Sequence, residues 1–417
     1  MYNKDTMCYK TWNDIIISLP KKTVSWCCKT NLTEQQTKET TFDLDILDTQ
    51  GIDFLFNHPI LQKRKNDLAT GVRCQDCHVC WESEDRSGES HRTLYTDMHT
   101  SKFLSNGELF DTDTPATFIE LELTNKCNQA CVYCGPLLSS RWQKELKQRH
   151  PDTEDEIFHK VMELFTEYCN TKLADTPYIN ISLLGGEPFF TDHMYIFLEY
   201  LSTLHVNSEQ EITVTITTGM SFPKQKLDKF IELIGRTPNI IYIMQLSGEA
   251  IGRKTELIRW GLDFENWNIN LDMFLTEAKR LDNLVIGFGC AHSSLSLPYF
   301  KEFLVYINNK MMLLDYKKLV WFHVNYIEEP DYLSISMLDK HHADAVTEQI
   351  EYMENEMTNL YRKDDYITML KSLRKQIRNQ TVTPELKSYA AKEFKKLEDR
   401  RKISFKSHFP HFDELTK

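Results

Sequence analysis

From residue 117 to residue 324, short apolar runs alternate with longer stretches of helical periodicity. This alternation is typical of βα units whose strands pair in parallel. Six units predict an α/β fold, and they fit a partial (β/α)6 barrel better than a flat doubly wound sheet. The predicted strands are residues 117–123, 179–184, 212–217, 241–246, 284–288 and 320–324. Helices are predicted between them, for example at residues 195–204, 226–234, 269–281 and 298–309.

The two flanks of this alternating region have different patterns. Residues 1–110 show little periodicity apart from a predicted helix near residues 59–68, and they are rich in cysteine and small polar residues. Such a loop-rich module needs something other than an apolar core to hold it. Residues 334–417 are mostly charged and helical in pattern. The sequence therefore predicts a Cys-rich module over 1–110, a barrel over 111–333 and a helical extension over 334–417.

Composition limits the partners and the compartment. The chain has 417 residues, is 41% hydrophobic and carries a formal net charge of -12. Without a Lys/Arg-rich block, this balance argues against nucleic acid as a partner, because phosphate backbones are bound by clustered positive charge. A secretory signal and an apolar run of 18 or more residues are both missing from the sequence. We therefore expect a cytoplasmic protein with no membrane partner.

The chain contains 11 cysteines, and most of them are grouped. In a large chain without an export signal, closely spaced thiols indicate metal or cluster ligation rather than a disulfide framework. Cys8, Cys169 and Cys290 stand apart from the groups. The three groups are Cys27 with Cys28, then Cys74 with Cys77 and Cys80, and finally Cys127 with Cys131 and Cys134.

The last group has the most informative spacing. Cys127, Cys131 and Cys134 follow the first predicted strand in a C-x3-C-x2-C arrangement, so one loop directs three thiolates at one centre. Iron–sulfur clusters usually take four cysteine ligands, and three local ligands leave one iron open to a non-protein ligand. A structural zinc loop and three incidental thiols are the alternatives. The spacing and the position after a strand favour a [4Fe–4S] cluster.

This motif resembles the signature of the radical S-adenosyl-L-methionine (SAM) enzymes, which have an aromatic residue before the third cysteine. Here that residue is Tyr133, and the resemblance places it against the adenine of SAM. Gly185, Gly186 and Glu187 follow the second predicted strand and match the family's Gly-Gly-Glu-Pro motif, whose glycine backbone meets the SAM amino group. The resemblance covers residues 117–325 and implies the barrel fold.

Three further segments extend the resemblance. Thr217 ends the third predicted strand where the family often has Thr-Asn-Gly, although Thr218 departs from that pattern. Ser247 and Glu249 match the Ser-x-Asp/Glu that contacts the SAM ribose, and Arg259 matches an arginine that can pair with the SAM carboxylate. Each segment alone is a weak signal. Their order, at the ends of successive strands, coincides with the face where a barrel builds its active site.

The resemblance implies an enzyme that cleaves SAM reductively to a 5′-deoxyadenosyl radical, which abstracts hydrogen from a substrate. The outcome would be that of an oxidoreductase or transferase, with a flavodoxin or ferredoxin-type protein as reductant. A peptide or protein side chain is the favoured substrate, and a small metabolite or nucleotide-derived compound is the alternative. A different class also stays open, namely a non-catalytic iron–sulfur protein for electron transfer or redox sensing.

The N-terminal cysteines resemble the auxiliary-cluster modules (SPASM or twitch type) of the same enzymes, which usually follow the barrel. The resemblance implies a second iron–sulfur cluster held by Cys74, Cys77 and Cys80, with Cys27 or Cys28 as the further ligand. Zinc is the alternative, with His78 or His58 as a possible extra ligand.

Cys290 ends the fifth predicted strand and is a candidate catalytic residue that could return a hydrogen atom to a substrate radical. A buried structural thiol is the more favoured interpretation of Cys290. His323, within the sixth predicted strand, is interpreted as a core histidine.

Overall fold

The computed structural model describes residues 5–27, 41–88, 90–93, 95–96, 115–205 and 209–417. Over these residues the fold is mixed α/β, with a large and mostly parallel sheet. The chain divides into two compact units, each assembled from separate segments. The first unit consists of Met1–Asn125, Pro151–Thr215 and Arg236–Ile241, and the second of Lys126–His150, Ile216–Gly235 and Tyr242–Lys417.

The elements of the described residues are numbered in chain order. The strands are β1 Asp14–Ser18, β2 Thr23–Ser25, β3 Thr41–Asp43, β4 Phe118–Glu122, β5 Ala130–Cys131, β6 Tyr178–Leu184, β7 Glu211–Thr218, β8 Ile240–Ser247, β9 Arg259–Trp260, β10 Leu284–His292 and β11 Trp321–Tyr326. The helices are α1 Tyr9–Asn13, α2 Ile46–Gln50, α3 Phe54–Asn57, α4 Pro59–Ala69, α5 His78–Ser87, α6 Ser140–Leu146, α7 Asp155–Thr171, α8 His193–Leu201, α9 Lys224–Gly235, α10 Gly252–Ile258, α11 Phe264–Arg280, α12 Phe300–Leu313, α13 Ala343–Glu356, α14 Lys363–Asn379, α15 Pro384–Arg401 and α16 Phe412–Thr416.

In the first unit, the N-terminal region contributes strands that the sequence pattern did not predict. Strand β1 pairs in parallel with β4, with Ile16 opposite Glu120, and β4 pairs in parallel with β6. Strands β1, β2 and β3 are joined as an antiparallel meander. All five residues of β1 are buried, and the three isoleucines at its centre form a short apolar run instead of an alternation. Periodicity cannot assign such a run, so the expectation of a loop-rich N-terminus was wrong at this point.

The same region contains the helix that the sequence did predict. Helix α4 starts with Pro59 at its first position, where the missing proline N–H costs nothing. The side chain of His58 caps this helix by accepting a hydrogen bond from the backbone N–H of Ile60. The capped helix leads, through residues 70–73, into the segment that carries Cys74, Cys77 and Cys80.

In the second unit, β10 pairs in parallel with both β8 and β11, with Gly289 opposite Ser247 and His323. All six predicted strands are confirmed as β4, β6, β7, β8, β10 and β11. Their starts agree within three residues, but β10 continues to His292, beyond its predicted end. Helices α13 to α16 lie in the predicted helical extension. Closure of the sheet into a partial barrel, and the boundaries at residues 110 and 333, stay predictions.

Among the described residues, no helix combines the length and the apolarity needed to cross a membrane.

Candidate functional site

The loop that carries Cys127, Cys131 and Cys134 belongs to the second unit and is fixed by backbone hydrogen bonds. Cys131 lies in β5, which pairs antiparallel with β9 so that Cys131 is opposite Arg259. The N–H of Val132 donates to the carbonyl of Ile258 at 2.8 Å, and the N–H of Cys134 donates to the carbonyl of Cys131 at 3.0 Å. The structure therefore carries the three predicted cysteines on one loop whose backbone is held by neighbouring segments.

The contacts of the three sulfur atoms are compatible with cluster ligation. The N–H of Gln129 donates to Sγ of Cys127 at 3.4 Å, and Sγ of Cys131 donates to Oε1 of Gln129 at 3.6 Å. Hydrogen bonds to the ligand sulfurs are among the features that set cluster potentials. Burial raises the pKa of the Cys131 thiol to about 12, and the positive charge of Arg259 opposes this rise.

The spacing of the sulfurs bears on the choice between zinc and a cluster. In the described part of the chain, the sulfur atoms of Cys127, Cys131 and Cys134 do not all lie within 4.8 Å of one another. Thiolates on one tetrahedral zinc, with Zn–S bonds of about 2.3 Å, lie roughly 3.8 Å apart. In an iron–sulfur cluster each thiolate binds a different iron, so a wider spacing is needed. As placed, the three sulfurs are too far apart to share one tetrahedral zinc, and a cluster at this loop stays a prediction.

Side chains from outside the loop also hold its backbone. The indole N–H of Trp142, in α6, donates to the carbonyl of Cys131 at 2.8 Å. Nη2 of Arg401, the last residue of α15, donates to the carbonyl of Ala130 at 2.9 Å. The guanidinium of Arg401 also pairs with Glu145 and lies 4.7 Å from the ring centroid of Trp142. The sequence pattern missed Arg401, because its Lys/Glu-rich helix is typical of a solvated face.

Two glycines permit the close approach of neighbouring backbone to this loop. A Cβ atom at Gly219 would lie 2.4 Å from Nε2 of Gln129. A Cβ atom at Gly261, whose φ is +103°, would lie 2.6 Å from the carbonyl oxygen of Asn128. Gly261 excludes larger residues, because the close atom is backbone and its own φ is one that L residues rarely adopt, whereas at Gly219 the side chain of Gln129 would have to move.

Tyr133, Glu249 and Arg259 form one buried polar group beside the loop. Arg259 donates to both carboxylate oxygens of Glu249, at 2.7 to 3.2 Å, and the hydroxyl of Tyr133 donates to Oε1 of Glu249 at 3.2 Å. Glu249 is fully buried and Arg259 is nearly so. Burial acts to lower the pKa of Arg259, but the charge and hydrogen bonds of Glu249, together with Tyr133 and Cys131, raise it above its ordinary value. The charge of Arg259 is therefore matched inside the protein.

Two further predicted residues lie near strand ends in the second unit. The hydroxyl of Thr217, in β7, donates to Oε1 of Gln245 at 3.1 Å. Ser247 is the last residue of β8, and its carbonyl accepts a hydrogen bond from the indole of Trp267 at 3.1 Å. Their predicted roles at a SAM ribose or adenine stay predictions.

The Gly-Gly-Glu segment lies in the first unit, directly after β6. Gly185 and Gly186 have φ angles of +82° and +55°, and a Cβ atom at Gly185 would lie 3.0 Å from the carbonyl oxygen of Thr124. Glu187 is buried and accepts a hydrogen bond from the N–H of Phe189 at 3.3 Å. Gly185 thus has little room for a side chain, and Gly186 has the left-handed backbone that favours glycine.

Cys290 is not at a strand end as predicted, because β10 continues to His292. Cys290 is 1% exposed, and burial raises its pKa well above the ordinary value. Its neighbours include Tyr366 of α14. The surroundings match the buried structural thiol better than a group at an open strand end. His323 is half-buried in β11 and lies beside Trp321, with 5.8 Å between the ring centroids.

The N-terminal thiols lie in the first unit, except that Cys28 falls outside the described residues. Cys77 donates a hydrogen bond to Cys74, which lowers the pKa of Cys74 and raises that of Cys77. Burial and the nearby thiols of Cys8 and Cys27 raise the pKa of Cys77 further.

Cys8 is the residue that sequence reasoning missed in this group. It packs with Cys74 in one buried cluster that also contains Met7, Trp12, Leu68 and Trp81. No spacing motif could have revealed it, because it is far from Cys74 in sequence. Cys80 is half-buried. Of the two histidines considered for zinc, His58 is already used as the cap of α4.

The chain matches no family model and no curated protein. Among solved structures, it is similar to the crystal structure of HydG, a maturase of the [FeFe]-hydrogenase. That similarity has a TM-score of 0.36 and 11% sequence identity, over 83% of this chain and 70% of the other. A similarity of this size decides nothing about the fold or the function.

Proposed function

We propose that this protein is a radical SAM enzyme whose [4Fe–4S] cluster is bound by Cys127, Cys131 and Cys134. The observation that carries the proposal is the loop itself. It presents three thiols, and only three, from a backbone that β9, Trp142 and Arg401 hold in place. A three-thiol set leaves one iron for an external ligand, which an ordinary electron carrier does not need.

The surrounding residues fit this assignment. Hydrogen bonding at Cys127 and the glycines at positions 219 and 261 give the loop the close, donor-rich surroundings that a cluster needs. When bound, the cluster and SAM together supply one electron and a 5′-deoxyadenosyl radical. The protein's own contribution is to position the groups and to exclude water from them.

Within the proposed site, each polar residue has a separate task. Tyr133 is held by Glu249, so its ring has a defined orientation for an adenine to pack against. Glu249 and Arg259 keep the backbone of β9 in register with β5, and so position Cys131. Arg259 therefore acts first as a positioning residue. If it also pairs with the SAM carboxylate, as predicted, its guanidinium would bind that carboxylate and Glu249 together.

The remaining motif residues are assigned from the resemblance. We assign Thr217 and Ser247 to the SAM ribose and adenine, and the backbone of Gly185 and Gly186 to the SAM amino group, with Glu187 fixing that turn. The order of these segments at the ends of β6, β7 and β8 supports a partial (β/α)6 barrel. A peptide or protein side chain is the proposed substrate, and a flavodoxin or ferredoxin-type protein is the proposed reductant.

We also propose an auxiliary iron–sulfur cluster in the first unit. We propose Cys8, Cys27, Cys74 and Cys77 as its ligands, because Cys8 and Cys77 pack in one cluster with Cys74 and Cys27 lies near Cys77. The set predicted from sequence has Cys80 in the place of Cys8. A metal centre here would add a cross-link to a region of short elements, α1 to α5 and β1 to β3, beside the apolar cluster that already packs there.

Electron paramagnetic resonance of the reduced, anaerobically reconstituted protein tests the SAM-binding cluster. Adding SAM should change the g values of one cluster, because SAM would bind its open iron. The Cys134→Ala variant should lose that SAM-dependent signal. A fully loaded protein whose spectrum SAM does not change would support an electron-transfer or sensing role instead.

A further inference from the structure

Three potential metal ligands converge near the C-terminus of the second unit. His341 and His342 lie in the turn Lys340–His342 that leads into α13, and Glu414 lies in α16. Nε2 of His341 is 2.9 Å from Oε2 of Glu414, and Nε2 of His342 is 3.0 Å from the same oxygen. All three ligand atoms lie within 4.8 Å of one another. Two imidazoles and one carboxylate oxygen thus face a common point.

The spacing of these atoms is close to that of a zinc site. Zinc binds histidine nitrogen at about 2.0–2.1 Å and carboxylate oxygen at about 2.0–2.2 Å, usually in a tetrahedron. Neighbouring ligand atoms of such a tetrahedron are roughly 3.3 Å apart. The two N–O distances need only a few tenths of an ångström of expansion to reach this value.

The surroundings support one side of the site and leave the other side accessible. His342 is buried and packs against the ring of His411, with 5.3 Å between the ring centroids. His411 is itself fixed by the carbonyl of Ser294 at 2.7 Å and by the hydroxyl of Tyr299 at 3.0 Å. The side chains of His341 and Glu414 are 59% and 42% exposed, so an ion can reach them from solvent.

We propose that His341, His342 and Glu414 bind one zinc ion, with water as the fourth ligand. The ion would tie α16 to the turn that precedes α13, and so fix the C-terminal end of the chain. A direct carboxylate–imidazole hydrogen-bond pair without metal is the competing explanation of the same distances. The zinc site is independent of the iron–sulfur chemistry proposed above, because it shares no residue with either group of thiols.

Zinc X-ray absorption on the anaerobically reconstituted full-length protein, with one equivalent of zinc added, tests the proposal. The expected first shell contains only nitrogen and oxygen at about 2.0 Å, whereas sulfur at about 2.3 Å would place the zinc on thiols. Bound zinc after desalting should be one per chain. Zinc should also raise the thermal unfolding midpoint of the wild-type protein, since it binds only the folded site.

Three variants complete the test. Glu414→Gln and His342→Asn should each weaken zinc binding by at least about tenfold, since each removes a ligand. His341→Asn, at the more exposed position, should do the same and serves if either of the others folds poorly. His408→Asn, in the same C-terminal segment, should bind zinc like the wild type. Sulfur in the zinc shell, or equal binding by all the variants, would overturn the proposal.

Discussion

The two groups of thiols in this protein are built in different ways. Cys127, Cys131 and Cys134 come from one loop of the second unit, whose backbone is bonded to β9 and covered by Trp142 and Arg401. The thiols of the first unit come from separate segments, and packing against apolar side chains brings them together. The loop is therefore organised by hydrogen bonds, while the N-terminal group is organised by its core and by any metal that it binds.

This difference determines which changes each group should tolerate. Removal of a thiol from the loop removes a ligand but leaves the supporting bonds of β5 and β9 in place. Removal of a thiol from the N-terminal group also removes part of a small buried cluster, so both metal binding and the stability of the region should decrease. The following predictions test this contrast.

The largest effect on stability is expected when the buried ion pair beside the loop is broken. Glu249→Ala leaves Arg259 buried without its partner and should lower the free energy of unfolding by about 3–5 kcal/mol. Urea denaturation monitored by fluorescence would measure the change. Glu302→Ala removes the exposed carboxylate that pairs with Lys254 and should lower it by about 1 kcal/mol or less. Equal losses in the two variants would contradict the supporting role of the pair.

The second prediction concerns the ligands of the N-terminal group. Cys8→Ser should lower the iron content of the reconstituted protein from about eight to about four per chain, because it removes one of the four proposed ligands. Cys80→Ser, in the neighbouring helical segment, should leave the iron content near eight. Chemical iron and zinc analysis after desalting decides between them. If Cys80→Ser lost the iron and Cys8→Ser kept it, the ligands would be the set expected from sequence spacing, which includes Cys80.

The third prediction concerns the support of the loop from α15. Arg401→Gln removes a charged hydrogen bond to the carbonyl of Ala130 and should lower the free energy of unfolding by about 1.5–3 kcal/mol. Amide hydrogen exchange should become faster in the loop around Ala130 and Cys131. Arg378→Gln, in the last turn of α14, is the matched control and should leave exchange in the loop unchanged. If amide exchange in the loop were as slow in the Arg401 variant as in the wild type, β9 and Trp142 would hold the loop without Arg401.

The fourth prediction concerns the pH dependence of stability that arises from a histidine in the second unit. His292 is fully buried, neither ring nitrogen has a hydrogen-bond partner among the described residues, and burial lowers its pKa to about 3. In the unfolded chain histidine has a pKa of about 6.5. Below that pH the unfolded chain takes up a proton that the folded chain does not, so stability falls as the pH decreases from 6.5 toward 3.

Because of this residue, the free energy of unfolding should fall by about 2 kcal/mol between pH 8 and pH 5. His292→Phe keeps a ring against Phe300, whose centroid lies 4.3 Å away, and should remove most of that dependence. Urea denaturation at the two pH values measures it. A variant with the same pH dependence as the wild type would show that His292 is not the group responsible.

The sequence revealed the parts of this molecule that depend on local pattern. The six parallel strands were predictable because apolar runs alternate with helical stretches, and the Cys127 loop because its ligands are close in sequence. Strand β1 was missed because a short apolar run has no period, and Cys8 because packing alone brings it to Cys74. The burial of Arg401 was hidden because a charged helix end normally faces solvent.

The most direct test of the central claim is SAM cleavage by anaerobically reconstituted protein with dithionite, measured as 5′-deoxyadenosine together with iron per chain. The account predicts about eight irons and measurable 5′-deoxyadenosine for the wild type. Replacing Cys127, Cys131 and Cys134 together by alanine should leave about four irons and abolish the product. A fully loaded wild-type protein that forms no 5′-deoxyadenosine, or a triple variant that still forms it, would contradict the assignment.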